Sequence, residues 1–241
     1  MPYRKQQFTN NDIHHITLRA IDNNLMFKNE DDYYRGIFSI YEFNNSNPTE
    51  IRTRRRIRNQ LKKSCGGPSS ATLITDERNR LVDVLCFCLM PNHIHLLLKQ
   101  IKDNGITKFM SKTGTGLGGY FNKKYNRQGH VFQNRFNAVP IKTDEQLKVA
   151  VAYIHTNPLS LKYPEWKKIR IKDPAEAHTF LEKYKWFSYP DFIGIKNFPS
   201  VTQRDFIVEI MGGPNKCKDF VKYWIKYKGE LEKYHNLFLE D

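Results

Sequence analysis

Two apolar runs with a proline-containing turn between them constrain the fold of this chain more than any other feature of its sequence. Residues 81–89 and 92–100 are each long enough for one strand, and Met90 and Pro91 separate them. Proline cannot donate a hydrogen bond to a strand ladder and often marks a turn, so the pattern predicts two adjacent antiparallel strands. The chain is therefore expected to be built on a sheet.

The second run carries two histidines at alternate positions, His93 and His95. Side chains alternate across a strand, so both imidazoles project from one face while Ile94 and Leu96 project from the other. Two neighbouring imidazoles can form a pair of metal ligands, but a histidine in a strand can also be a hydrogen-bonded structural residue. The motif alone leaves both interpretations open.

The rest of the chain alternates between strand and helix signals. Residues 14–20 have the pattern of a first strand, and the acidic residues that begin at Glu30 predict the start of a helix that ends at residue 43. Pro140 predicts that a strand over residues 137–142 lies at the edge of the sheet. Four further helices are predicted, of which the first is unusually rich in glycine, over residues 106–125, 143–157, 174–185 and 202–235.

Positive charge dominates the composition. The chain has 39 Lys and Arg against 25 Asp and Glu, a formal net charge of +14. Such an excess favours polyanions, of which nucleic acid is the commonest, although a basic surface can also serve solubility alone. A basic insertion over about residues 44–79 includes Arg54, Arg55, Arg56 and Arg58. It is expected either to clamp a phosphate backbone or to be a solvated charge run without a specific partner.

Tyr153 and Asn157 lie four residues apart in the helix predicted over residues 143–157, so they share one of its faces. If that helix packs on the sheet, both side chains can reach the histidine pair. A phenol beside a divalent cation is a credible nucleophile toward a phosphodiester, and an amide oxygen suits Mg²⁺ or Mn²⁺ as a third ligand. A tyrosine beside an apolar stripe can also be a packing residue, and the spacing alone does not decide between the two roles.

Four segments together resemble a known family of enzymes. They are HITLR at residues 15–19, MPNHIH at 90–95, GHVFQNR at 129–135 and YIHTNP at 153–158. In their order and separation they are similar to the single-tyrosine HUH transposases, specifically to the REP-associated tyrosine transposases. The resemblance extends over roughly residues 12–195.

The resemblance implies a fold and a reaction. The implied fold is α+β, a ferredoxin-like or RRM-like antiparallel sheet with helices on one face, to which this chain adds the basic insertion and a helical C-terminal extension. The implied reaction nicks and rejoins single-stranded DNA near a hairpin, and its nucleophile, here Tyr153, forms a 5′-phosphotyrosine link. The implied ligands of Mg²⁺ or Mn²⁺ are His93, His95 and Asn157. The candidate DNA contacts are all basic: Arg19, Arg54, Arg55, Arg56, Arg58, Lys123, Lys124, Arg127 and Arg135.

The expected organisation is a transposase domain over residues 1–195, followed by a helical extension over residues 196–241. The expected partner is single-stranded or hairpin DNA, bound by a monomer or a homodimer. Because no segment is apolar over the length that crosses a bilayer, we expect a cytoplasmic, nucleoid-associated protein. The long insertion, Ala20 in place of a common glycine, and the glycine-rich helix depart from the family pattern and leave the details of DNA recognition open.

Two other functions fit parts of the sequence. A protein of the same fold could bind hairpin DNA without cleaving it. A His-x-His metallohydrolase unrelated to DNA is less favoured, because the chain lacks the additional His and Asp motifs that such enzymes use.

Overall fold

A four-stranded antiparallel sheet forms the centre of the protein. The computed structural model describes residues 7–49, 53–54, 56–57, 59–60, 76, 78–133, 136–166, 169 and 171–227. The strands are β1 (Ile13–Arg19), β2 (Val82–Met90), β3 (His93–Gln100) and β4 (Asn137–Ile141), in the spatial order β2-β3-β1-β4. The helices are α1 (Glu30–Phe43), α2 (Gly105–Lys124), α3 (Asp144–Thr156), α4 (Pro174–Lys183), α5 (Tyr189–Phe192), α6 (Asp205–Ile210) and α7 (Pro214–Tyr227).

The chain order through β4 is β-α-β-β-α-β, which is the ferredoxin-like arrangement. The α+β class and the antiparallel sheet expected from the sequence are confirmed. The two apolar runs form the neighbouring strands β2 and β3, and β4, which contains Pro140, pairs with β1 at the sheet edge.

Helix α1 begins where its sequence predicts. The side chain of Asn29 accepts a hydrogen bond from the Asp32 amide at 3.2 Å, and acidic residues occupy the first turn, where they interact favourably with the helix dipole. The helix ends at Phe43, beside the start of β2, where Asn44 bonds to the backbone of Leu81 and Val82.

Helix α2 is continuous despite its glycines. A Cβ atom at Gly116 would lie 2.1 Å from Phe43, so the absence of a side chain lets α2 approach α1 closely. Gly114, Gly118 and Gly119 have no such contact within 4 Å. One glycine of the run therefore has a packing role, and the helix tolerates the others.

The two faces of the sheet bury different side chains. The apolar face carries Ile16, Leu18, Ile94, Leu96 and Leu98, and it packs against α1 and α2. The histidine face carries His15, Thr17, Arg19, His93 and His95, and the core on that side includes Leu97 together with α3, α4 and α7. The sequence predicted helices on one face of the sheet only. The structure has α1 and α2 on the apolar face, but it also has α3 on the histidine face. Leu97 and its neighbours on β2 give that face an apolar surface, which α3 covers.

The outer edge of β2 is closed by later parts of the chain. The Leu89 amide donates to the Trp186 carbonyl at 2.9 Å, and the Ser188 amide donates to the Phe87 carbonyl at 3.0 Å. Gln203 bonds to both backbone groups of Val84. The segment that follows α4 thus satisfies the backbone of this edge strand.

The structure describes parts of the basic insertion and of the predicted C-terminal extension. Residues 53, 54, 56, 57, 59 and 60 of the basic insertion are helical, and α6 and α7 lie in the predicted C-terminal extension. Trp224 of α7 is fully buried in the same core as α3. The boundary at residue 195 stays a prediction. No helix among the described residues is long and apolar enough to cross a membrane.

Candidate active site

The site begins with the two histidines at the start of β3. His93 Nδ1 lies 2.6 Å from Asn92 Oδ1, and His95 Nδ1 lies 3.0 Å from His15 Nε2 and 3.3 Å from Thr17 Oγ1. The two rings are nearly perpendicular, with centroids 4.7 Å apart. Since each Nδ1 is engaged by a neighbour, Nε2 is the nitrogen that each ring would present to a metal ion, and metal-binding histidines are commonly oriented in this way.

Helix α3 brings Tyr153 to the histidine face. The helix starts where Thr143 accepts a hydrogen bond from the Gln146 amide at 3.1 Å, and its apolar stripe packs on the sheet, which meets the condition set by the sequence analysis. The Tyr153 ring contacts the rings of His15 and His95 edge-on, with centroid distances of 5.6 and 5.9 Å. The tyrosine singled out from the sequence therefore lies against one of the two histidines, in a buried cluster.

Asn157 caps the C-terminal end of α3, one turn beyond Tyr153. Because β4 starts beside Thr17 and ends beside Ile13, α3 runs back toward the sheet end at which β3 begins with His93. Asn157 is buried, and its amide nitrogen has no hydrogen-bond partner among the described residues. Rotation of the amide by 180° exchanges its nitrogen and oxygen, so the same position can direct an oxygen at a cation.

The predicted donor set is two imidazole nitrogens and one amide oxygen. The amide oxygen suits Mg²⁺ or Mn²⁺, and imidazole is a ligand of divalent transition-metal ions. Within the described part of the chain, no three or more His, Cys, Asp or Glu side chains are grouped to hold a metal. The predicted ligands His93, His95 and Asn157 do not form such a group, because the third donor is an amide.

His15 and Thr17 are site residues that the sequence did not identify. Alternation along β1 places them with Arg19 on one face, but their contact with His95 depends on the register of β1 against β3, in which Thr17 is opposite His95. A spacing pattern does not contain that register. Both residues lie outside the two motifs that carry the predicted ligands and nucleophile.

His155, two residues after Tyr153, does not join the site. Its Nε2 lies 2.9 Å from Ser188 Oγ, and its ring packs against Phe187, Tyr189 and Phe192. Burial lowers the pKa of His155 to about 3, so the imidazole is neutral at physiological pH. Its role is structural.

Several predicted DNA contacts lie at the same end of the sheet as His93. Arg19 is the cross-strand neighbour of His93 and is half-buried on the histidine face. Lys123, Lys124 and Arg127 lie at the end of α2 or just after it, and the chain then passes beside Arg19, whose carbonyl accepts a hydrogen bond from the Gln133 amide.

Lys124 has a partner within the protein. Its ammonium group lies 2.6 Å from the buried carboxylate of Asp32. Burial raises the pKa of Asp32, but hydrogen bonds from Lys124, Tyr125, the Lys28 amide and Tyr120 outweigh it and leave the pKa lowered. Lys124 therefore joins α2 to the start of α1, and part of its charge is neutralised there.

The arginines of the insertion are not close to Tyr153 where they are described. Arg54 lies 3.7 Å from Glu42, in the last turn of α1, at the opposite end of the sheet from His93. Arg56 is exposed. Arg55, Arg58 and Arg135 lie outside the described residues.

Comparison with known proteins gives one family. The family model described as "Transposase IS200 like" matches residues 53–157. No curated protein matches the chain significantly. The matched residues include His93, His95, Tyr153 and Asn157, but not His15 or Thr17.

Two solved structures are similar to the chain at low identity. One is entitled "Structure of the REP associates tyrosine transposase bound to a REP hairpin"; it is 10% identical, with a TM-score of 0.44, and the match covers 85% of this chain and 93% of that one. The other is the tRNA(His) guanylyltransferase of Saccharomyces cerevisiae, 12% identical, with a TM-score of 0.33 and coverage of 97% and 86%. Neither likeness is strong enough to show a shared fold or function. Over residues 53–157, the chain is similar to the IS200-like transposase family.

Proposed function

We propose that this protein is a metal-dependent transposase that nicks and rejoins single-stranded DNA beside a hairpin, with Tyr153 as its nucleophile. One observation carries the proposal: the Tyr153 ring packs edge-on against the ring of His95, 5.9 Å between centroids, inside a domain similar to the IS200-like family. A tyrosine and a candidate metal ligand from distant parts of the chain thus meet on one face of the sheet.

The reaction is a transesterification. Tyr153 Oη attacks the scissile phosphorus, an ester bond forms between them, and the bond from phosphorus to the 3′ oxygen breaks. The phenol proton is lost, and the departing oxygen gains a proton to become a free 3′-hydroxyl. Rejoining is the reverse step with another 3′ end, so the energy of the phosphodiester is retained in the 5′-phosphotyrosine link.

His93, His95 and Asn157 would hold the cation. A bound Mg²⁺ or Mn²⁺ polarises a phosphoryl oxygen and favours the ionised phenol. The protein side chains supply the rest of the arrangement: Asn92 and His15 lie within hydrogen-bond distance of the two imidazoles, and the packing of α3 on the sheet sets the position of Tyr153.

The DNA would approach the end of the sheet at which β3 begins. Arg19 lies beside His93 there, and exposed Lys123 and half-buried Arg127 follow along the adjoining segment. The net charge of +14 supports a polyanionic partner. Recognition of a REP-like hairpin rests on the resemblance of the sequence motifs.

Covalent capture of DNA tests the proposal. A labelled hairpin oligonucleotide with a single-stranded flank, incubated with the full chain and Mn²⁺, should yield a protein–DNA adduct that survives denaturation. Tyr153→Phe should form none. Tyr223→Phe, at an exposed position on α7, is the matched control and should form the adduct normally. An undiminished adduct in Tyr153→Phe would refute the assignment.

A second candidate is a hairpin-binding protein of this family that does not cleave. It is favoured by the burial of Tyr153, which is only 1% exposed, so that a phosphate can reach the phenol only after side chains move. This candidate predicts hairpin binding with no adduct and no nick in Mg²⁺ or in Mn²⁺. The same incubation therefore distinguishes the two functions.

A further inference from the structure

We propose that His15 is a positioning residue, which fixes the ring nitrogen that His95 presents to the cation and holds His95 against Tyr153. The inference deepens the proposed function and depends on it. His15 lies outside residues 53–157, the part of the chain that matches the family model.

Three contacts place His15 between the two functional halves of the site. Its Nε2 lies 3.0 Å from His95 Nδ1, and the two rings meet edge to edge, with centroids 5.2 Å apart and planes inclined by 28°. Its ring also meets the Tyr153 ring edge-on at 5.6 Å. His15 is 0% exposed, so solvent cannot replace these contacts.

The hydrogen bond has a required direction if His95 binds a metal. A ligand must present a nitrogen lone pair, so metal binding through Nε2 leaves the His95 proton on Nδ1. That N–H then needs an acceptor, and His15 Nε2 is the nearer of the two at hand, with Thr17 Oγ1 at 3.3 Å. His15 must in turn carry its own proton on Nδ1. The pair thereby selects one tautomer of His95.

Direct metal binding tests this role without relying on catalysis. The affinity of the full chain for Mn²⁺ is measured from the electron paramagnetic resonance signal of the free ion, with no DNA present. His15→Phe keeps a ring against Tyr153 but removes the acceptor. We expect it to weaken Mn²⁺ binding about 10- to 100-fold, the usual effect of losing a partner that orients a ligand.

Two further variants separate orientation from packing. His15→Gln places an amide oxygen near the former Nε2 position and should recover most of the lost affinity. His14→Phe is the matched control, because His14 is the adjacent buried histidine and projects from the apolar side of β1, where it contacts Phe8. It should bind Mn²⁺ as the natural chain does. If His15→Phe does not fold, as judged by circular dichroism, His15→Leu takes its place.

The outcomes are distinct. If the natural chain binds Mn²⁺ and a folded His15→Phe or His15→Leu binds it equally well, the positioning role is wrong while the proposed function stands. A loss that His15→Gln does not recover, or a larger loss in Thr17→Val, also overturns the role. If the natural chain does not bind Mn²⁺, the metal dependence of the proposed function fails and the inference fails with it.

Discussion

The two faces of the central sheet are equally buried but differ in chemistry. On the apolar face, Ile94 and Leu96 are 0% exposed; on the histidine face, His15 and His95 are 0% exposed as well. Aliphatic side chains need only close packing, whereas buried imidazoles need hydrogen-bond partners, which His15, His95 and Thr17 provide for one another. Alternation along β1 and β3 therefore gives one face mainly apolar side chains, whereas the other face holds the candidate chemistry beside a second core.

Tyr153→Phe should have the largest effect, and the effect should be on the reaction rather than on the stability of the fold. We expect covalent adduct formation to fall at least about 10³-fold, because the nucleophilic oxygen is absent. The free energy of unfolding should change by no more than about 1.5 kcal/mol, the net contribution of one hydrogen bond. Adduct yield and urea unfolding, measured on the same preparation, check the two parts. A large loss of stability would mean that the fold depends on the Tyr153 hydroxyl group.

Leu96→Ala should give the converse result. Removing a fully buried side chain from the apolar face leaves a cavity between the sheet and α1 and α2, and we expect a loss of about 2 to 5 kcal/mol in the free energy of unfolding. Adduct formation per folded molecule should be unchanged at a temperature where the variant is folded. A selective loss of adduct would show that the two faces are coupled.

Acid should destabilise the protein through His155, which is buried on the histidine side of the sheet. Its pKa is about 3 in the folded protein against an ordinary value of 6.5, so between these values the unfolded chain binds a proton that the folded chain does not. Stability should therefore fall as the pH drops below 6.5, with up to about 1.4 kcal/mol per pH unit from this residue. His155→Gln should show a shallower decline in urea unfolding at successive pH values, and His130→Gln, at an exposed position, is the control. Equal slopes in all three proteins would contradict the assignment.

The smallest changes in stability are expected from substitutions at the glycines of α2, the helix that packs on the apolar face. Gly119→Ala should stabilise the protein by about 1 kcal/mol, because a methyl group there meets nothing within 4 Å and alanine favours a helix. Gly116→Ala should destabilise it by about 1 to 3 kcal/mol, because the new Cβ would collide with Phe43. Thermal unfolding compares the two. Opposite signs are expected, and the same sign in both would show that helix propensity alone governs the run.

The sequence predicted the elements well because strong local signals mark them. The acidic start of α1, Pro140 in the edge strand and the turn between β2 and β3 each act within a few residues, and the observed strand ends differ from the predicted ones by about one residue. Helix spacing placed Tyr153 and Asn157 on one helix face, but their position beside the histidines was predicted only on the condition that the helix packs on the sheet. Such signals depend on backbone geometry and need no knowledge of the tertiary structure.

Features that depend on tertiary structure were not predictable in this way. The contact of His15 with His95 needs the register of β1 on β3, and the second core on the histidine face needs Leu97 to be recognised as a packing residue beside two polar ones. The engagement of Lys124 by Asp32 also joins residues far apart in sequence. A count of basic residues cannot distinguish such a lysine from one that meets DNA.

The closure of the β2 edge has a consequence for the synthesis of the chain. The groups that satisfy Val84, Phe87 and Leu89 come from Trp186, Ser188 and Gln203, about one hundred residues later in the sequence. Until that part has left the ribosome and docked, β2 offers unpaired amides and carbonyls to any neighbouring strand, a common route to aggregation. A product cut short after Asn157 would contain every candidate catalytic residue and still be prone to associate through this strand.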